Sequence, residues 1–287
     1  MSAVTIDTRP GPGEPESFTV DRSPAQAARI AFGALLLRDI VVLRKTLREF
    51  IPRTILQPLL LVFVFTYVFP KIGQGIGGRG AAAADFSTLL VAGVVSLSIL
   101  FQGIQSVALP MVQEFGYTRE IEDRVLAPMP VWLVAMEKVA AGMFNGVFAA
   151  LIVFPIAAVV PATPVHLDIN WPVLLTLTPL ACYVSASLGL TFGTRFNPRT
   201  VPLLFGIIVI PLTFLGCVYY SWQALDPIKW LQILVLFNPL VYMSEGFRAA
   251  LTYAPHMSLV AVYLVLIAFG ALFTWSGING FKKRVLS

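Results

Sequence analysis

Long uncharged apolar runs, separated by short charged segments, set the plan of the chain. Residues 54–70 carry no charge over 17 positions, and 86–113 none over 28. Segment 139–167 holds only His166, and 249–281 holds only His256 near its start. Segments 169–194 and 200–225 are clean. A helix needs ~20 mostly apolar residues to cross a bilayer. The runs therefore predict six spans, near 53–70, 87–110, 139–160, 172–194, 200–221 and 257–279. None has Asp, Glu, Lys or Arg in its middle, where ion-coupled carriers usually place an ionisable group.

The segments between the runs are patterned too. Leu36, Ile40, Leu43, Leu47 and Phe50 recur at steps of four and three and share one helical stripe. Arg38, Lys45, Arg48 and Glu49 fall opposite, with Arg44 adding to the basic side. This predicts an amphipathic helix over 24–50 lying in the cytoplasmic interface, either an anchor or a lever joining a partner to span 1. Segment 113–138 has the densest charge: Glu114, Arg119, Glu120, Glu122, Asp123, Arg124, Glu137 and Lys138. A short helix over 119–124, ended by Pro128 and Pro130, is either a solvated loop or a docking surface. Segment 195–199 is too short to host a domain. In 222–254 an apolar run, 230–243, is broken by Asn238-Pro239 and is too short to span, which predicts an external re-entrant or interfacial hairpin. Glu245 and Arg248 stand at i and i+3 and can pair, as a structural staple or as a contact to cargo.

Composition agrees with the pattern. Of 287 residues, 57% are hydrophobic and 12% charged; soluble domains run near ~45–50% and ~25%. That excludes a free cytosolic enzyme, a disordered protein and a nucleic-acid binder. Orientation follows from the 20 Lys and Arg. With the N-terminus inside, Lys71, Arg79, Lys229 and Arg248 lie outside and all the other basic residues inside, so both termini are expected in the cytoplasm. Residues 1–23 read as a disordered tail without the apolar core of a signal peptide. The 21 Pro and 21 Gly, many inside the runs, suggest kinked and closely packed helices.

Most catalytic chemistry is missing. Cys182 and Cys217 lie in apolar runs and give neither a disulfide framework nor a metal spacing. His166 and His256 each sit near an external span end and read as interfacial residues. Ser185 and Ser187 lack a base or a nucleophile elbow. The glycine-rich stretch 73–80 lacks the Lys-Ser/Thr end of a phosphate-binding loop and reads as an external loop. Tyr219, Tyr220 and Trp222 suit an aromatic belt.

Three segments resemble the membrane subunits of ABC exporters of the ABC-2 permease family. The first is the basic run LLLRDIVVLRKTLREFIPRTILQPLL leading into span 1. The second is EFGYTREIEDRVLAPMPVW, similar to the family's signature after span 2, with Glu114, Thr118, Glu122, Leu126 and Pro128 at matching positions. The third is FNPLVYMSEGFRAAL, with Asn238, Pro239, Leu240, Tyr242 and Arg248 matching. The resemblance implies an all-α membrane protein: a connecting helix (24–50), a six-span domain (51–281) and a basic tail (282–287). Within the domain it implies a coupling helix (113–131) and an external re-entrant segment (222–254).

It also implies an inner-membrane exporter subunit that binds no cofactor. ATP and Mg would be used by two copies of a separate ATPase, beside a second permease copy. Glu114, Thr118, Arg119, Glu120, Glu122, Asp123, Arg124, Leu126 and Pro128 would then couple to the ATPase, with Arg38, Arg44, Lys45 and Arg48 on the connecting helix. Asn238, Pro239, Tyr242, Glu245 and Arg248 form the external motif. An apolar path lined by Phe63, Phe65, Phe101, Phe205 and Phe214 would suit an amphipathic or hydrophobic cargo such as a drug, lipid, glycolipid or polysaccharide. An ion-coupled carrier and a non-transporting scaffold or sensor are the alternatives.

Overall fold

A computed structural model describes residues 23–72, 81–118, 124, 129–161, 165, 167–196, 200, 203 and 205–285. The described residues are helical, with no strand among them. Helix α1 runs from Pro24 to Val62 and continues through a π-helical stretch, Phe63–Val68, to Lys71. Ser23 caps it: its hydroxyl accepts from the Gln26 amide, and the Gln26 side chain accepts from the Ser23 amide. The expected boundary between connecting helix and span 1 at position 50 leaves no break, and the helix passes through Pro52 and Pro58.

Helix α2 is Ala81–Gln113 and ends in a π-helical turn, Glu114–Thr118. Helix α3 is Val131–Val159, α4 is Trp171–Arg195, and α5 is the short Ile210–Phe214 after π-helical Phe205–Val209. Helix α6 is Lys229–Leu234, α7 is Pro239–Leu251 and α8 is Leu259–Val285. The three π-helical stretches lie beside Pro70, Pro110 and Pro211. Proline removes a backbone donor, and a π turn is one way to absorb the resulting slip.

Among the described residues five helices are long and apolar enough to cross a membrane, within α1, α2, α3, α4 and α8. The fifth predicted span, 200–221, differs. Its described part is helical only to Phe214, and 215–221 turns away. Pro211 opens α5, Gly216 lies against Leu240, and Cys217 takes a left-handed φ of 53°. Helix α3 starts earlier than expected: Glu137 and Lys138, taken as loop charges, lie within it and face opposite charges inside the fold.

Helix α2 is the hub. In its most apolar stretch 83% of residues are buried, against 17% in α8. It meets α4 at glycines: a Cβ on Gly103 would lie 2.4 Å from Ser185 Cβ, and one on Gly189 2.8 Å from the Ile104 carbonyl. Small residues let membrane helices approach closely, where packing rather than water exclusion holds them. Gly103→Val is therefore expected to separate α2 from α4. Thermal unfolding of the purified protein in detergent should show a loss of about 1–3 kcal/mol. Hydroxyls join α4 to α8: Tyr183 to Thr274 at 2.7 Å, Ser187 to Thr274 at 2.9 Å, and Thr191 donating to the Phe273 carbonyl at 2.8 Å.

Candidate functional site

Where α1, α2 and α3 meet, the fold encloses a cluster of five charges. Asp39 projects from α1, Glu114 from the last turn of α2, and Glu137 and Lys138 from the first turns of α3. Arg124, from the segment between α2 and α3, fills the middle. Its Nη2 lies 3.3 Å from Asp39 Oδ1 and 3.2 Å from Glu114 Oε1, and its Nη1 lies 3.5 Å from Glu137 Oε2. Lys138 Nζ lies 2.6 Å from Glu114 Oε1 and 3.5 Å from Asp39 Oδ2. Glu137 is fully buried and the Arg124 side chain is 6% exposed; Asp39, at 20%, is the most open member.

Three carboxylates thus face two cations, a net charge of −1. The bonding is incomplete: Glu114 Oε2, Arg124 Nε and Nη1, and both Glu137 oxygens have no hydrogen-bond partner. The Glu137 contact is an ion pair at a length beyond good hydrogen bonding. Buried ionic groups repay their desolvation only when geometry and hydrogen bonds are complete. An under-satisfied cluster shared by four segments is sensitive to small movements of any one of them. Around it, Phe32 and Leu35 of α1 pack against a core formed by Val134, Ala135, Val139 and Phe281, so the charges sit in a rigid frame.

Among the sequence-derived coupling residues, Glu114 and Arg124 are brought together here, buried rather than presented at a surface. The Thr118 backbone ends the π turn. Arg119, Glu120, Glu122, Asp123, Leu126 and Pro128 lie outside the described residues. Arg38, Arg44, Lys45 and Arg48 are exposed along α1, while Leu36, Ile40, Leu43, Leu47 and Phe50 turn inward. Asp39, Glu137 and Lys138 were not among the candidates. A signal existed for Asp39: it stands three positions after Leu36 and four before Leu43, on the apolar stripe itself.

The motif expected to be external forms a second buried network. Every residue of α7 is buried, and Glu245 and Arg248 are fully so. Glu245 and Arg248 form an ion pair. The carboxylate also accepts from the Trp222 amide (2.8 Å) and the Met257 amide (2.9 Å). The guanidinium donates to the carbonyls of Cys217 (3.0 Å) and Tyr220 (3.3 Å). One pair thereby ties the segment after α5, helix α7 and the start of α8. Asn238 caps α7 by accepting from the Leu240 amide, and donates to the Leu212 carbonyl at 2.7 Å. Pro239 takes the first helical position, where its missing donor costs nothing. Tyr242 donates to the Leu236 carbonyl at 3.1 Å. Nearby, Asp168, through its hydrogen bond and its charge, pushes the Tyr253 phenol above its ordinary pKa.

The candidate path residues do not converge within one chain. Phe63 is exposed and stacks on Tyr67, and Phe214 is 61% exposed. Phe65 and Phe214 both touch Tyr219, at centroid distances of 5.4 and 6.1 Å. Phe101 lies apart, between α1 and α2. The side chain of Phe205 is outside the described set. Among the described residues no group of three or more His, Cys, Asp or Glu is placed to hold a metal ion.

Comparison with known proteins bears on this arrangement. Residues 30–252 match the family described as ABC-2 type transporter. The chain is 28% identical over 221 residues to the inner membrane transport permease YadH of Escherichia coli K12, covering 76% of this chain and 82% of the relative. YadH of Shigella flexneri matches with the same identity and coverage.

Proposed function

This chain belongs to the ABC-2 type transporter family, and from that we propose that it is the membrane subunit of an ATP-driven exporter in the inner membrane. These residues contain no G-x-x-x-x-G-K-[ST] loop, which supports a reading in which ATP and Mg are used by an ATPase subunit, in two copies beside two permease copies. Six spans with both ends in the cytoplasm fit the charge asymmetry, the segment around α5 supplying the span that the long helices leave out.

One observation carries the mechanism: a buried, incompletely bonded charge cluster holds Arg124 against residues of α1, α2 and α3 together. When ATP closes the ATPase dimer, the docked residues around 119–123 move. Arg124 moves with them, and the carboxylates it holds shift α1 and α2. ATP supplies the differential affinity without which no such shift could be driven. A path for an amphipathic cargo then opens between the two permease copies. The cluster's carboxylates do not serve as a proton site in this reading, since each of them faces a cation.

The test is assembly. The tagged chain is expressed from its native locus, and its partners are identified by mass spectrometry. A protein with an intact phosphate-binding loop is expected to co-purify in equal amount. Reversing Glu120, Glu122 and Asp123 to lysine is expected to lower its recovery at least tenfold. Equal recovery with the reversed chain would contradict docking at this segment.

A further inference from the structure

Helix α1 carries two stripes, and the fold turns only one of them inward. Leu36, Ile40, Leu43, Leu47 and Phe50 form the inward stripe. Leu37, Val41, Arg44, Arg48 and Ile51 recur at steps of four and three on the other side, and all five are exposed. Lys45 flanks them and is exposed too. A cationic band thus interrupts an apolar stripe. Among the described residues, Arg44, Lys45 and Arg48 have no ion-pair partner. Glu49 is exposed beside them, so three cations less one anion leave a net charge of +2.

Depth decides what this band meets. Helix α1 and its π-helical continuation end at Lys71, which is exposed. Arg48 lies about 35 Å before Lys71 at ~1.5 Å rise per residue, and Arg44 about 40 Å. A bilayer's hydrocarbon core is ~30 Å thick, or ~40–45 Å with its headgroup layers. Between the two cationic ends, Ile51, Leu56, Leu60 and Phe63 are exposed. With those four in the hydrocarbon, Arg44, Lys45 and Arg48 fall in the headgroup layer. A soluble ATPase meets the helix beyond that layer, which favours lipid over protein as the occupant. Long cationic side chains lay their stems along apolar surface and reach phosphate with their heads, a guanidinium through two parallel hydrogen bonds.

We propose that Arg44, Lys45 and Arg48 bind the phosphates of anionic phospholipids in the leaflet on the N-terminal side of α1. The proposal takes these three side chains away from the ATPase contact that the family resemblance implies for them. It stands apart from the exporter reading, because lipid binding is read on the permease itself. Each cation close to an anionic membrane surface adds about fivefold to the association.

The experiment uses the purified full-length chain in phosphatidylcholine nanodiscs. The probe is phosphatidylglycerol with a diazirine near the headgroup end of one acyl chain. Labelled peptides are expected from α1 around residues 41–51, displaced by unlabelled phosphatidylglycerol and not by added phosphatidylcholine. The labelling is expected to weaken at ~1 M salt, where charges are screened within ~3 Å. Arg44→Gln, Lys45→Gln and Arg48→Gln combined are expected to lower it at least tenfold, with the unfolding temperature unchanged because the altered side chains are exposed. Arg44→Lys with Arg48→Lys is expected to keep most of it. Equal displacement by both lipids, or equal labelling of the glutamine variant, would overturn the proposal. So would loss of the wild-type label when the co-purified ATPase is added, because a protein would then cover the band. Should the glutamine variant fail to insert, the competition between the two lipids on the wild-type chain still decides.

Discussion

Arg124→Ala is expected to lose ATP-driven transport and to destabilise the purified permease by about 3–5 kcal/mol, the cost of leaving a buried charge without its partner. The direction follows from the count of charges. Without the guanidinium, Asp39, Glu114 and Glu137 share the single ammonium of Lys138. Glu137 fares worst: it is fully buried, neither of its oxygens has a hydrogen bond, and Arg124 is its ion-pair partner. Adding Glu137→Gln to the Arg124→Ala chain removes that orphaned charge, so stability is expected to recover by about 1–3 kcal/mol while transport stays lost. Thermal unfolding in detergent reads the first quantity, and uptake into inverted membrane vesicles reads the second. A purely structural cluster would restore both together.

Glu245→Ala is the second large effect, expected at about 3–5 kcal/mol, because a buried guanidinium would lose its counter-charge. The Trp222 and Met257 amides lose their acceptor in the same step. Removing Arg248 as well, with methionine in its place, is expected to cost less than the single change, since no charge is then stranded. The deficit should appear as a lowered unfolding temperature and poor accumulation in the membrane. The ratio of transport to ATP hydrolysis should hold for whatever protein does fold. That separates the external staple from the Arg124 cluster, where the ratio itself is expected to collapse.

Much of the helical plan was legible from charge spacing. The run 169–194 predicts α4 almost to its ends: the helix runs Trp171–Arg195 and passes through Pro179 without a break. The run 200–221 looked equivalent, yet its described part holds only π-helical Phe205–Val209 and α5. Charge gaps report what a bilayer tolerates, whereas Pro211, Gly216 and the left-handed Cys217 decide what the backbone does.

The site was legible in part for a similar reason. Glu114 and Arg124 stood out as members of a charged segment, and charged segments read as solvated surface. Burial became affordable only because Asp39, Glu137 and Lys138 arrive from other helices, a tertiary coincidence that no local pattern contains.

The most direct measurement is ATP hydrolysis by the purified complex in lipid vesicles, wild type against Arg124→Ala, with transport of an amphiphile that stimulates the hydrolysis read in the same vesicles. The account predicts that the wild-type chain recruits its ATPase and moves the amphiphile only while ATP is hydrolysed. It predicts that the Arg124→Ala complex assembles and hydrolyses ATP but moves at most one tenth as much per ATP. Equal transport per ATP in the two complexes, or transport by the wild-type chain without any ATPase, would contradict it.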